Sequence, residues 1–360
     1  MIPTATPPAF TSSTATTGDW LIQTWRLTRW NLFVAWRRVM SKVLLGILLG
    51  FFALIIGFIV LGYVITQSAP VQGQRCSSGP GTSQSSGGTS TNGNQPVQCQ
   101  PLSAQDQQQI RDQETSSIRT TLAFPGSVQL AGGYTTFLGV ILLSILAGAV
   151  IGGEFGFGTL RLALSRGMGR AQILTAQAVA LALLSLGIGL AMMLLGVLVG
   201  VTIGPLLGAT LPALSGGGAL ALVAYWLAIS FDLFAFAAVA FFLATLSRST
   251  AAGIAGPLGY YVFEIIAIGI LSALSFAIRG NLGAFLGHVP DWLLGQNLSV
   301  IAAKAFAPLQ SVSTTVQQGG GNISNGPSFG LAHALLVSLT YCVLLVGSTY
   351  FIMRRRDITD

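Results

Sequence analysis

The chain has 360 residues, of which 8% are charged and 52% are hydrophobic. Soluble domains carry about 25% charged residues, so this composition excludes a water-soluble globular enzyme. The charge-free stretches are residues 43–74, 120–153, 171–231 and 305–353. Uncharged apolar runs of about 18 or more residues predict membrane-spanning helices. The sequence therefore predicts an all-α, polytopic integral membrane protein.

The amino-terminal region is predicted to lie on the cytoplasmic side. Residues 1–19 are rich in Thr, Ser, Pro and Ala, which predicts a disordered tail. Residues 20–42 predict a helix along the membrane surface. Apolar residues at helical spacing form a stripe along it, and arginines lie on a different face. The stripe consists of Leu21, Trp25, Leu32 and Trp36. The alternative is a cytoplasmic extension of the first span.

A transmembrane domain is predicted over residues 20–353, with six spans. They lie at about residues 43–64, 135–153, 171–203, 218–246, 251–278 and 329–353. A bilayer core needs about 20 helical residues, so the longer spans must tilt, kink or protrude.

The distribution of cations predicts the orientation of these spans. With both termini in the cytoplasm, the inner segments hold 12 of the 17 Lys and Arg residues, including those of the basic tail 354–360. Cytoplasmic loops are enriched in Lys and Arg, so we expect a multi-pass protein of the cell membrane with both termini inside. The same bias accounts for the net charge of +7, and no nucleic-acid partner is implied.

The first outer loop, residues 67–127, contains a low-complexity stretch over residues 77–98. Cys76 and Cys99 bracket that stretch. An oxidising compartment outside the cell permits a disulfide there, which is the pairing that we predict. The alternative is two free thiols.

The second outer segment, residues 279–327, contains too few consecutive apolar residues to form a full span. Its stretch 290–306 predicts a short interfacial or re-entrant helix. The chain has two histidines and three cysteines without a Cys/His cluster, so the sequence predicts no metal site.

The most informative stretch is the cytoplasmic segment 154–170, between the second and third spans. Glu154 opens the segment, and Arg161, Arg166 and Arg170 follow the apolar residues around Leu160. An acid at the start and arginines at the end suit a helix dipole, so we predict a helix that docks a partner protein. The alternative is an ordinary basic loop, which would explain the arginines but not the apolar and glycine pattern.

This segment resembles the coupling segment of ABC-2 family ABC transporter permeases, which has the form Glu-x-x-x-Gly-Thr-x-Arg followed by a Leu-Ser-Arg run and another Arg. The matching residues here are Glu154, Gly158, Thr159, Arg161, Ser165, Arg166 and Arg170. The six-span layout, the surface helix and the basic tail are also similar to that family.

The resemblance implies a coupling helix seated in a cleft of a separate ATP-binding subunit. It further implies two permease copies, identical or paralogous, with ATP and Mg²⁺ bound in the partner and no cofactor in this chain. The first outer loop of that family is usually shorter, so the resemblance supplies no role for residues 67–127.

The chain itself lacks a phosphate-binding loop. Such a loop needs Gly-x-x-x-x-Gly-Lys followed by Ser or Thr, and neither Lys42 nor Lys304 completes that pattern. No Ser/His/Asp arrangement lies in or near a span, so we predict no catalytic residues and no enzyme activity.

Two carboxyl groups fall near the middle of predicted spans, Asp232 in the fourth and Glu264 in the fifth. A charged group at that depth costs a few kcal/mol and indicates a functional position. One interpretation is a polar patch on a translocation path that favours cationic or amphipathic substrates. The other is a pair of protonated acids that hydrogen-bond Ser230, Tyr260, Tyr261 or each other.

The leading functional hypothesis is the membrane subunit of an ABC exporter that moves an amphipathic small molecule, peptide or lipid outward. Membrane lipids are the remaining expected partners. The runner-up is a proton-coupled secondary transporter that uses Asp232 and Glu264 as a relay.

Overall fold

The computed structural model describes residues 17–37, 39–68, 74–77, 98–101, 103–156, 169–209, 216–278, 280–310 and 329–355. The helices are α1 Thr17–Arg37, α2 Val39–Ser68, α3 Ala104–Leu122, α4 Gly126–Tyr134, α5 Val140–Gly156, α6 Arg170–Leu206, α7 Gly216–Ser247, α8 Thr250–Ala277, α9 Asn281–His288, α10 Leu294–Gln310 and α11 Leu331–Arg355. A π-helical turn, Thr135–Gly139, joins α4 to α5, and a 3₁₀ turn, Val289–Trp292, precedes α10. The strands are β1 Gln74–Ser77 and β2 Gln98–Pro101.

Six helical stretches of the described residues are long and apolar enough to cross a membrane, which confirms the predicted fold class. They are Val39–Gln67, Gly126–Glu154, Arg170–Leu206, Gly216–Ser247, Thr250–Ala277 and Leu331–Arg355. The second begins at Gly126 rather than near residue 135, because α4, the π turn and α5 form one continuous helical path.

Helix α7 forms the centre of the bundle. In the most apolar stretch of α7, 72% of the residues are buried, whereas the corresponding share is 6% in α8 and 17% in α2. It contacts α5, α6, α8, α10 and α11, and Leu233, Phe236 and Phe241 on it belong to the largest hydrophobic cluster. A helix that is apolar all round is suited to such a central position.

Small residues allow α5 and the start of α8 to cross closely. A Cβ atom on Gly148 would lie 2.5 Å from the carbonyl carbon of Gly253, so the two backbones touch at this point. Gly46 and Gly50 on α2 have the same spacing as Gly148 and Gly152, but a Cβ on either would meet no heavy atom within 4 Å. The glycine spacing alone therefore does not distinguish a crossing from an open surface.

Helix α1 packs against the beginning of α6, and a single residue separates its end from the start of α2. Among the α1 residues whose burial is described, Thr24 and Thr28 are buried, and the Thr28 hydroxyl lies 3.5 Å from the Ala176 carbonyl oxygen of α6. Leu21 and Trp25, which belong to the predicted apolar stripe, are exposed. The helix thus turns a polar face toward the protein and leaves apolar side chains outward.

A short antiparallel pair of strands, which the sequence did not predict, flanks residues 78–97 of the first outer loop. Those residues lie outside the described part of the chain. The register places Cys76 directly opposite Cys99, and opposed residues have Cα atoms about 4.5–5.5 Å apart, within the range that a disulfide spans. The disulfide stays a prediction, which thiol counting with and without a reductant tests.

Helix α9 doubles back along α8, and α10 then packs against α7 and α11. Gly280 has a φ of 103°, in the region that glycine adopts without strain, and α9 then packs on α8. The side-chain amide of Asn297 donates to the carbonyl oxygens of Asp291 and Leu293 at 2.8 and 2.7 Å. These bonds hold the turn that starts α10, and the Leu294 amide donates to the Tyr260 hydroxyl at 3.3 Å. Helix α10 therefore begins level with the middle of α8.

Candidate functional site

The two ends of the predicted coupling segment are tied to other helices. Glu154, near the end of α5, accepts a hydrogen bond from the side-chain amide of Gln177 on α6. Arg170, at the start of α6, donates to the Met353 carbonyl oxygen of α11 at 3.3 Å. The ends of α5 and α11 and the beginning of α6 are thus joined at the base of this segment.

The start of α6 also has a defined cap. The side chain of Gln172 accepts a hydrogen bond from the Gly169 amide at 3.1 Å, which satisfies a donor at the helix start. The predicted coupling residues between the two ends, namely Gly158, Thr159, Leu160, Arg161 and Arg166, lie outside the described residues. The predicted helix there stays a prediction.

The two carboxyls predicted from the sequence come together at one cavity of about 430 Å³. Its walls are formed by α4, the π turn, α7, α8 and α10, and Asp232 and Glu264 both line it. Their side chains are 6% and 3% exposed. No lysine or arginine is among the described residues that line this cavity.

Glu264 contacts the first turn of α10. Its Oε1 atom accepts a hydrogen bond from the Gln296 amide at 3.0 Å, and Gly295 lies against the same carboxyl group. Amide groups in the first turn of a helix lack partners within the helix, and a carboxyl group there is favourable. Glu264 therefore caps α10 from a neighbouring helix.

Ser230, one of the hydrogen-bond partners considered for these acids, bonds elsewhere. Its hydroxyl donates to the Trp226 carbonyl oxygen within α7 at 2.8 Å.

The sequence did not predict that α10 and several aromatic rings form part of the cavity wall. Tyr225 and Phe306 have ring centroids 4.8 Å apart, and Phe236 and Tyr261 meet edge to face at 5.5 Å. All four line the cavity. Aromatic residues are common in apolar spans, so their positions in the sequence did not indicate a binding site. The turn residues Pro290-Asp291 did indicate that a helix starts nearby, but not that this helix lines a cavity.

The histidines form a separate contact near the start of α11. His288 Nδ1 lies 3.0 Å from Asp291 Oδ2, and His333 Nε2 donates to the Asp291 carbonyl oxygen at 3.2 Å. Among the described residues no three His, Cys, Asp or Glu side chains converge in a way that could hold a metal ion.

The comparison with known families matches nearly the whole chain. The sequence pattern that defines the ABC-2 family transporter proteins matches residues 36–358. This range contains all six candidate spans, the segment 154–170 and both carboxyls. No curated protein matches the chain. The resemblance inferred from the 154–170 motif is confirmed at the level of the family.

Proposed function

Because the chain belongs to the ABC-2 family of transporter proteins, we propose that it moves an amphipathic small molecule, peptide or lipid outward across the cell membrane. Members of this family are membrane-integral transport subunits that normally work with an ATP-binding subunit. The family match over residues 36–358 is the observation that carries the proposal. ATP and Mg²⁺ would be bound by the partner, and this chain would perform no covalent chemistry.

The partner is proposed to dock on the segment 154–170. The hydrogen bonds of Glu154 with Gln177 and of Arg170 with Met353 support this assignment. Because these bonds link the segment to three helices, a displacement of the segment would move the ends of α5, α6 and α11 together. Such a link is what transmission of ATP-driven closure requires.

A second copy of the chain, or a paralogue, is proposed as the other half of the transporter. Helices α2 and α8 carry large exposed apolar side chains, among them Phe51, Phe58, Phe263 and Ile266. An apolar surface of this kind suits lipid chains or another membrane helix. Both termini are proposed to be cytoplasmic, in line with the distribution of Lys and Arg.

Reconstitution with and without the ATP-binding subunit tests the proposal. We expect co-expression to yield a complex whose ATP hydrolysis depends on the presence of this chain in proteoliposomes. A chain that transports without an ATP-binding subunit and responds to a proton gradient would contradict the proposal. That result would favour the proton-coupled alternative, with Asp232 and Glu264 as the relay.

A further inference from the structure

The cavity between α7, α8 and α10 reaches the middle of the bundle. Asp232 and Glu264 lie about halfway along α7 and α8, and both line this cavity of about 430 Å³. Pockets for small organic ligands have volumes of about 300–1,000 Å³ and are mostly apolar with a few polar groups. The cavity matches that description in size and in the character of its wall.

Two buried carboxyl groups without a lysine or arginine beside them are the first feature that selects a ligand. Asp232 and Glu264 are 6% and 3% exposed, and within the described residues neither forms an ion pair with a lysine or arginine. A buried carboxylate is costly unless it is paired and hydrogen-bonded. A bound cation would provide the missing partner.

Glu264 is held by α10 through one of its two carboxyl oxygens. Oε1 accepts the Gln296 amide at 3.0 Å, whereas Oε2 is buried without a hydrogen-bond partner among the described residues. The α10 helix thus fixes the position of the carboxyl group through one oxygen. The Tyr260 hydroxyl lies close to the same carboxyl group, so a ligand in the cavity would share Glu264 with this tyrosine.

Aromatic rings select an organic cation over an inorganic one. Tyr225 and Phe306 form one ring pair at 4.8 Å and Phe236 and Tyr261 another at 5.5 Å, and ring faces attract ammonium-type cations. A dehydrated Ca²⁺ ion, by contrast, takes about six to eight oxygen ligands, more than a wall of two carboxyls among rings provides.

We propose that this cavity binds a lipophilic organic cation, with the cationic group between Asp232 and Glu264 and the apolar body against the rings. The inference rests on the transport function proposed above, because it assigns the substrate class of that function. It also assigns Glu264 two tasks, capping α10 and contacting the ligand.

Equilibrium binding of radiolabelled tetraphenylphosphonium to the full-length protein in lipid nanodiscs tests the inference. We expect saturable binding to the wild type and a dissociation constant at least about tenfold higher in Asp232→Asn and in Glu264→Gln, since each loses one charged contact. Tetraphenylborate, which has a similar shape and the opposite charge, should not compete.

Matched controls make the same substitutions at acidic residues outside the cavity. Asp112→Asn and Glu114→Gln lie on the exposed face of α3 and should bind the cation like the wild type. Phe306→Leu keeps the carboxyls and removes one ring, so binding should weaken by several-fold. This variant retains a readout if a carboxamide variant fails to fold.

Three results would overturn the inference: no saturable binding to the wild type, wild-type affinity in both carboxamide variants, or equal competition by the anion. The proposed function is tested separately by association with the ATP-binding subunit. Unchanged cation affinity in both carboxamide variants, with intact ATP-binding subunit association, would reject the cavity assignment alone. If the wild-type chain binds the cation but does not associate with an ATP-binding subunit, the proposed function alone would be rejected.

Discussion

Glu264 illustrates how one residue can stabilise the bundle and also place a carboxyl group in a cavity wall. Its Oε1 atom accepts the Gln296 amide at the start of α10, while its Oε2 atom has no partner among the described residues. The structural interpretation of the intramembrane acids and the functional one are therefore compatible at this position. Asp232 has no comparable cap to form and lines the same cavity.

Removal of the Glu264 cap should destabilise the protein. In Glu264→Ala the buried amides of the first turn of α10 lose their acceptor, which costs about 1–3 kcal/mol. Glu264→Gln keeps an acceptor oxygen and should retain most of the stability. Thermal unfolding of the detergent-solubilised protein measures the difference. Equal melting temperatures for the wild type and the alanine variant would show that the cap contributes nothing.

The two acids were predictable from the sequence because charges are so scarce in this chain. Their position in apolar runs singled them out without any structural information. Tyr260, one of the partners considered from the sequence, does lie close to Glu264. The Gln296 amide was not predictable, because a backbone amide leaves no mark in the sequence. Only the fold, which returns α10 to the middle of α8, brings Gln296 to Glu264.

At the scale of elements, hydropathy identified the six spans but not every boundary. The second span begins at Gly126, where glycines, Ser127 and Gln129 interrupt the apolar run and made the helix appear shorter. Ser127 is buried where α4 packs against α6, whereas Gln129 lines the cavity. Burial against a neighbouring helix thus extended the span beyond its apolar segment.

The crossing of α5 and α8 offers a test of close helix packing. In Gly148→Ala the new Cβ would lie 2.5 Å from the carbonyl carbon of Gly253, so the helices must separate, at a cost of about 1–3 kcal/mol. Gly50→Ala on α2 is the control, because a Cβ there meets no heavy atom within 4 Å and alanine favours the helix.

Melting temperatures of the two glycine variants, measured in the same detergent, provide the comparison. We expect a decrease for Gly148→Ala and no decrease for Gly50→Ala. A Gly148→Ala variant as stable as the wild type would mean that α5 and α8 do not cross as closely as described.

At the scale of the whole molecule, the proposed transport function involves two separate regions, the segment 154–170 and the cavity. The segment 154–170 joins the ends of three helices, while the cavity with Asp232 and Glu264 lies at mid-height in the bundle. Helix α5 leads into this segment and crosses α8, which carries Glu264 in the cavity wall. The proposed function requires such a connection between the segment where the partner would dock and the cavity where the substrate would bind.

The sequence motif predicted the family, and the apolar runs predicted the bundle. The cavity was not predictable, because its wall combines residues from four distant parts of the chain, and contacts at such separation have no local pattern. The central residues of the coupling segment, Arg161 among them, lie outside the described part of the chain, so the motif alone supports their role.

Co-purification of the ATP-binding subunit with Arg161→Asn is the most direct test of the central claim, that this chain is driven through the segment 154–170. Arg248→Asn is the matched control, because Arg248 is a predicted cytoplasmic cation with a φ of 53°, a conformation that asparagine tolerates. We predict that Arg161→Asn lowers the retained ATP-binding subunit by at least about tenfold and that Arg248→Asn retains it fully. Undiminished association and ATP-driven transport in Arg161→Asn, and likewise in Glu154→Ala, would contradict the account.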